Sequence, residues 1–458
     1  MGEGNHWLVT SPHYTGGEPV MQNNKLGIIF MERKKTFFYP LYFFMGILGE
    51  SSAQMNLFKG SFEEAFKKRH ERKRNHFLSN FYADWCGPCK AMATQVFPQK
   101  EVGDYFNSRF ICVQVNVEAG ENTKLAKSYN ITGLPSMVFM DTEGKELRRV
   151  LGVVNPKGLV KEAKIALGEE LSFEQLYELY KKKKKDYDVQ QKLLLEAPEF
   201  MQRQEGYERE KWGARLKNLF PDYVKNKKIE NMMNETDFTL LVMYHSRTSE
   251  KDPIFDFMVA HFNEGVQLVG KEEVCAYLIG LNNSYIIQLC KKGDPAYRDR
   301  LKRVGEDLKE VYSGITFGSL SVLEAITLLS DATYYLYKHD EGKFFENMDK
   351  YLAGLGEQAT LEDYTQPLED LSVAYNGGLS KPAYVKSIVW ITKALEKDMT
   401  PDLRTRLLIM MGQCFQNTDN REKAKQCYNQ AFLASAEISN KMQMKQIQET
   451  IQQSLQGL

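Results

Sequence analysis

The spacing of apolar positions changes character near residue 170. Before that point, short apolar runs of strand length alternate with stretches of helical period. The runs are His76–Tyr82 (HFLSNFY), Phe110–Val117 (FICVQVNV), Ser136–Met140 and Glu146–Gly152. A helix opens at Ser61, with Glu64 at capping-box spacing, and is predicted to reach about Arg74. Another covers Lys90–Phe97 and stops at Pro98, which has no N–H to donate. Further helices are predicted over about Lys100–Asn107, Glu121–Tyr129 and Pro156–Leu167, the last with proline at its start. Gly133-Leu134-Pro135 breaks the chain ahead of one strand, and Asp141–Gly144 turns a hairpin. Strand, helix, strand and helix, then a hairpin and a helix, predict a mixed sheet flanked by helices, an α/β fold.

From Leu171 onward the pattern is helical. Ser172–Tyr180 and Val189–Glu196 are two helical stretches joined by the basic run Lys181–Lys185, which reads as a solvated helix end. Phe238–Tyr244 (FTLLVMY) fits either a strand or a buried helix segment. Ala332–Leu355 reads as a helix pair around Asp340-Glu341-Gly342, and Tyr384–Glu396 as the second helix of a degenerate repeat ahead of the last one. Leu408–Phe432 resembles one tetratricopeptide unit. Gly412, Ala424 and Ala431 are small where two helices meet, Phe415 and Tyr428 fill the gap, and Thr418-Asp419-Asn420 turns the chain. An all-α, tetratricopeptide-like domain is therefore expected over residues 169–458, with a concave face suited to a peptide or protein.

The N-terminus follows a third pattern. Residues 1–30 are rich in Gly, Asn and Pro without a period, and read as disordered or as upstream of the true start. From Met31, a basic cluster, the apolar run Thr36–Leu48 and the small polar segment ending at Ala53 follow the order of a secretory signal peptide. The apolar run is shorter than the roughly 20 residues that span a bilayer. A signal peptide over 31–53 implies an exported protein, in a bacterial periplasm. Without it the protein would be cytoplasmic.

Composition adds exclusions. The 458 residues carry 60 Lys+Arg and 60 Asp+Glu, a balance that gives no pull toward nucleic acid. Seven cysteines are too few for a disulfide framework in a chain of this length. Cys112, Cys275, Cys290, Cys414 and Cys427 lie on apolar periodic segments and read as small buried hydrophobes, with a Cys414–Cys427 bridge as the alternative. No second ligand pair stands at zinc spacing, His245 and His261 read as ordinary, partly exposed histidines, and no metal or cofactor is expected.

That leaves Cys86 and Cys89, a Cys-x-x-Cys at the point where the strand His76–Tyr82 hands over to a helix. A helix N-terminus offers unpaired N–H groups and partial positive charge, which favour a thiolate. Cys86 takes that place and is the expected nucleophile. Cys89, one turn on, is the expected resolving cysteine. Gly87 leaves the approach open, and Pro88 suits the first helical turn.

The element order together with Trp85–Cys89 (WCGPC), Gly133-Leu134-Pro135 and Gly152 at the end of the last strand resembles the thioredoxin family. More narrowly, FYADWCGPCK, VFPQKEV and NITGLPSMVFMDTEGKE are similar to the soluble C-terminal domain of DsbD-type periplasmic thiol:disulfide interchange proteins. The resemblance covers about residues 56–168, within an expected domain of 54–168. It implies a thioredoxin fold and thiol–disulfide exchange through Cys86 and Cys89, with Trp85, Gly87, Pro88, Leu134 and Pro135 meeting the substrate. It further implies a cis bond before Pro135 and a Leu134 backbone that pairs with an extended client. The Cys-Gly-Pro-Cys tetrapeptide, like thioredoxin's own, favours a reductase of cysteine-containing client proteins, recharged by a membrane-bound or soluble thiol donor. The sequence departs from the family at Asn80, where thioredoxins usually carry a buried Asp, and at Gln114, where its lysine partner aligns. A rival reading is a helical-repeat binding or assembly protein whose cysteine pair is vestigial or regulatory.

Overall fold

The structure is a computed structural model that describes residues 54–67, 76–375 and 378–458. The expectations for residues 1–30 and for a signal peptide over 31–53 lie outside the described residues, as does the far end of the helix from Ser61. Two compact units are present, one reaching to Asn226 and the other covering Lys227–Leu458.

The first unit opens with β1 (Leu57–Phe58), α1 (Phe62–Lys67) and β2 (His76–Tyr82). There follow α2 (Gly87–Ala91), α3 (Lys100–Arg109), β3 (Phe110–Asn116) and α4 (Asn122–Ser128). The sheet-bearing part closes with β4 (Ser136–Met140), β5 (Glu146–Leu151) and α5 (Pro156–Ala166). The sheet order is β1-β3-β2-β4-β5. β1, β3 and β2 run parallel, while β4 and β5 are antiparallel to their neighbours. This is the α/β architecture expected, with β1 added. A two-residue strand is too short to show any alternation.

β2 lies at the centre, and its five inner residues are buried. Both of its faces are covered, so apolar residues point to both sides of it, with Ser79 and Asn80 the polar residues buried between them. Leu78, Cys112, Met137 and Phe139 face Met92, Val96, Phe106 and Leu159. Phe77, Phe81, Val113 and Val138 face Ala65 and Ala126 on the opposite side. The helix after the cysteines is two pieces rather than one. α2 gives way to a π-helical turn over Met92–Val96, closed by the Phe97 N–H on the Met92 carbonyl at 3.0 Å. The 3.6-residue pattern carries no sign of that widening.

The helices beyond Gly168 are α6 (Phe173–Lys182), α7 (Tyr187–Gln202), α8 (Gly206–Leu216) and α9 (Leu219–Lys227). Through Asn226 they pack in the same compact unit as the sheet. Phe173 stacks on Phe200 at 4.0 Å, and Trp212 meets both edge-on. Two ionic ties join α7 and its C-terminal end to α5. Lys161 reaches Glu196 at 2.9 Å. Glu162, only 5% exposed, accepts from Arg148 on β5 and from Arg203 Nη1 at 3.1 Å. The lysine run ends α6 with its side chains exposed, as expected.

Among its described residues, the second unit has helices and an isolated bridge between Phe317 and Leu320. Phe238–Tyr244, ambiguous in sequence, lies in the helix Glu235–Tyr244, started by Asn234 accepting the Asp237 N–H at 3.0 Å. The expected pair around Asp340 is Val322–Tyr337 and Glu341–Leu355, with the Asp340 carboxylate capping the second helix. The expected turn at Thr418–Asn420 joins Pro401–Asn417 to Arg421–Ser435. Gly412 is required there, because a Cβ would stand 2.7 Å from the Tyr428 ring.

Cys112, Cys275, Cys290, Cys414 and Cys427 are buried and not in disulfides, so the alternative bridge between Cys414 and Cys427 is not formed. Burial pushes the Cys414 thiol up to about 12. His245 is partly exposed, as expected, but it is held by two side chains. Its ring is largely enclosed between the Tyr277 hydroxyl, 2.5 Å from Nδ1, and the Asp252 carboxylate, 2.9 Å from Nε2. His261 stacks on Phe257 with ring centroids 4.0 Å apart.

Candidate active site

β2 delivers the chain into the short connection Ala83–Trp85, and Cys86 follows as the N-cap of α2 in an extended conformation. The Cys89 N–H points back at Cys86 Sγ, 3.1 Å away. Pro88 sits in the first helical turn, where no N–H is required. Cys86 and Cys89 are joined by a disulfide of 2.05 Å. The pair is only 3% and 5% exposed, enclosed with Ala83 by Tyr82, Val117 and Leu134. The side toward Gly87 is open. Gly87 and Pro88 are both exposed, and a Cβ built at 87 would meet nothing within 4 Å. Another molecule's sulfur therefore has room to come in over Gly87, while water is kept from most of the disulfide.

Leu134 and Pro135, far along the chain, are brought to the same place. The Leu134–Pro135 bond is cis, as the resemblance implied, and Leu134 packs against the cysteine pair. The buried Pro135 accepts the Gly152 N–H at 2.8 Å, which ties the end of β5 to the start of β4. Gly152 has φ +86°, a conformation that side chains rarely adopt. Trp85 is 69% exposed. All seven residues expected at the site thus lie on or around one disulfide.

The position beneath the helix matches the sequence reading of Asn80 and Gln114. They are in register on β2 and β3, and Met137 flanks Asn80 on β4. Asn80 is 2% exposed, and its Oδ1 finds no hydrogen-bond partner among the described residues. Neither side chain is ionisable, so no charge is buried there without a partner.

Two residues of the rim carry no sequence signal. Asn116 Nδ2 donates to the exposed Asp84 at 3.1 Å, and Asn116 Oδ1 accepts the Glu118 N–H at 3.0 Å. Glu118 Oε1 accepts from Trp85 Nε1 at 2.9 Å. Only the strand register, which sets Tyr82 beside Asn116, shows that these groups meet.

Chemically, the arrangement holds two sulfurs that can store or release two electrons, a helix amide aimed at Cys86 Sγ, and one open side.

Known proteins share this region. The family model described as a thioredoxin-like domain matches residues 62–164. The thiol:disulfide interchange protein DsbD of Pectobacterium atrosepticum is 39% identical over 82 residues, which are 17% of this chain and 14% of that protein. The thioredoxin of Mycoplasma genitalium is 35% identical over 79 residues, 17% of this chain and 71% of that protein. Among solved structures, the oxidised C-terminal domain of Neisseria meningitidis DsbD is 26% identical and covers 22% of this chain and 89% of its own, with a TM-score of 0.20. The chain thus spans most of a thioredoxin but a small part of DsbD's length. Through residues 62–164, the chain belongs to the thioredoxin family.

Proposed function

We propose that this protein is a thiol–disulfide oxidoreductase that reduces disulfides in client proteins outside the cytoplasm. The observation that carries the reading is the Cys86–Cys89 disulfide at a helix N-terminus, with the Cys89 amide on Cys86 Sγ and an open approach over Gly87. In the reduced state the same amide and the helix end favour a thiolate on Cys86. That thiolate attacks one sulfur of the client disulfide, forms a mixed disulfide, and releases the client's other sulfur as a thiolate. Cys89 loses its proton and attacks Cys86 Sγ. The client's second thiolate leaves and the Cys86–Cys89 disulfide forms. The client gains two electrons and the pair loses two. A thiol donor, membrane-bound or soluble, reverses the change.

Trp85, Gly87, Pro88, Leu134 and Pro135 form the surface that meets the client in this reading, with the Leu134 backbone open to pairing. The Cys-Gly-Pro-Cys tetrapeptide supports reduction as the direction. The order of charge, apolar run and small residues from Met31 to Ala53 supports export to a periplasm. We read 54–168 as the redox domain and 169–458 as a tetratricopeptide-like domain that holds the client. The test is insulin reduction with dithiothreitol as donor. Cys86→Ser should abolish turnover above the uncatalysed rate, and Cys89→Ser should accumulate mixed disulfides with clients. Equal rates for wild type and Cys86→Ser would favour the rival, a binding protein with an idle cysteine pair.

A further inference from the structure

We propose that Glu118 is a positioning residue for this exchange: its carboxylate holds the exposed indole of Trp85 as one wall of the place where a client disulfide meets Cys86. The proposal rests on the oxidoreductase reading.

Trp85 immediately precedes Cys86 and is 69% exposed. So exposed a ring has little packing to choose its rotamer, and its apolar faces are left to water. Its single polar atom, Nε1, donates to Glu118 Oε1 at 2.9 Å. Glu118 is anchored in turn. Its N–H donates to Asn116 Oδ1 at 3.0 Å, and Asn116 Nδ2 holds Asp84 at 3.1 Å. Val117, between them, donates its N–H to the Tyr82 carbonyl at 2.9 Å and packs on the cysteine pair. The connection that carries Trp85 is thus fastened to the end of β3 at Tyr82 and at Asp84, just ahead of the indole's own bond.

Glu118 bonds to neither sulfur, so it acts through Trp85. An aromatic wall set in place before the client arrives spares the client the cost of ordering it. The effect therefore falls on client binding rather than on sulfur exchange, and on KM rather than kcat where chemistry is slower than client release.

The test uses the full chain, dithiothreitol and a synthetic peptide with one disulfide. Glu118→Leu cannot accept the indole N–H, whereas Glu118→Gln still can through its amide oxygen. Glu118→Leu should raise KM about three- to tenfold, the range one such hydrogen bond commands, with kcat changed by less than about twofold. Glu118→Gln should stay near wild type. Fluorescence anisotropy of Trp85, taken as the difference from the matching Trp85→Phe protein, should fall in Glu118→Leu and not in Glu118→Gln. A wild-type KM in Glu118→Leu, an equal defect in Glu118→Gln, or a loss confined to kcat would overturn the proposal. Absence of any Cys86-dependent turnover in wild type would instead overturn the oxidoreductase reading and this role in it, while the anisotropy still reports whether Glu118 holds the indole.

Discussion

Asn80→Asp places an ionisable carboxyl where the chain carries an amide. The site is 2% exposed, in register with Gln114 and Met137, on the sheet face that Met92 and Val96 cover. Gln114 brings no positive charge. A carboxyl so enclosed resists ionisation, and a rise of about 3 units is in keeping with other buried acids. The unfolded chain titrates it near the ordinary value of about 3.9. Below about pH 4 both states are protonated and the substitution costs little. Above that, the unfolded chain alone loses its proton, and stability falls by about 1.4 kcal/mol per pH unit until the folded group also ionises. With a folded value near 7, the loss reaches about 4 kcal/mol at neutral pH, a large share of the roughly 5–15 kcal/mol that holds a domain. Urea unfolding of wild type and variant at pH 4 and pH 7, followed in the transition that carries the Trp85 fluorescence, measures the difference. A chain with two compact units need not unfold in one step, so the probe matters. The same carboxyl, lying beneath the helix that carries Cys89, can accept the Cys89 proton in the resolving step. Release of the mixed disulfide should therefore quicken in Asn80→Asp. A stability loss independent of pH, or an unchanged or slower release, would refute the reasoning.

Two further tests address what holds each unit together. Glu162→Gln removes the charge shared by Arg148 and Arg203. Both cations keep some access to water, so the expected loss is about 1–3 kcal/mol, read as a lower urea midpoint for the first unit. Asp252 supplies a pH test in the second unit. Burial alone would raise its carboxyl, but hydrogen bonds from His245 and Thr248, the His245 charge and the Phe255 amide bring it down from 3.8 to about 2. A depressed acid stabilises above its unfolded value and loses that contribution as pH falls through its folded one. Asp252→Asn should thus cost about 2 kcal/mol at pH 7, and the gap to wild type should close between about pH 4 and pH 2. An equal gap across that range would show that the charge contributes nothing.

The sequence alone determined whatever local spacing controls. Trp85–Cys89 follows a strand and starts a helix, so the place of both sulfurs at a helix N-terminus was legible from neighbouring residues. The order of strands and helices through Leu167 was legible in the same way, as were the turns at Asp340 and Thr418–Asn420. The amide at Asn80 and its partner at Gln114 were readable through the family pattern, and the register bears the pairing out. What tertiary structure decided lies across long separations. Pairing between strands brings Asn116 and Glu118 to the loop before Cys86 and seats Leu134 on the disulfide. β1 exists because β3 offers it an edge, and not because two residues carry a pattern. Glu162 gathers arginines from β5 and from beyond α7, one of the ties between the sheet and the helices that share its compact unit up to Asn226. Hydrophobic periodicity reports which face of an element is buried. It does not report what that face meets, because the partner is chosen by packing the whole chain at once.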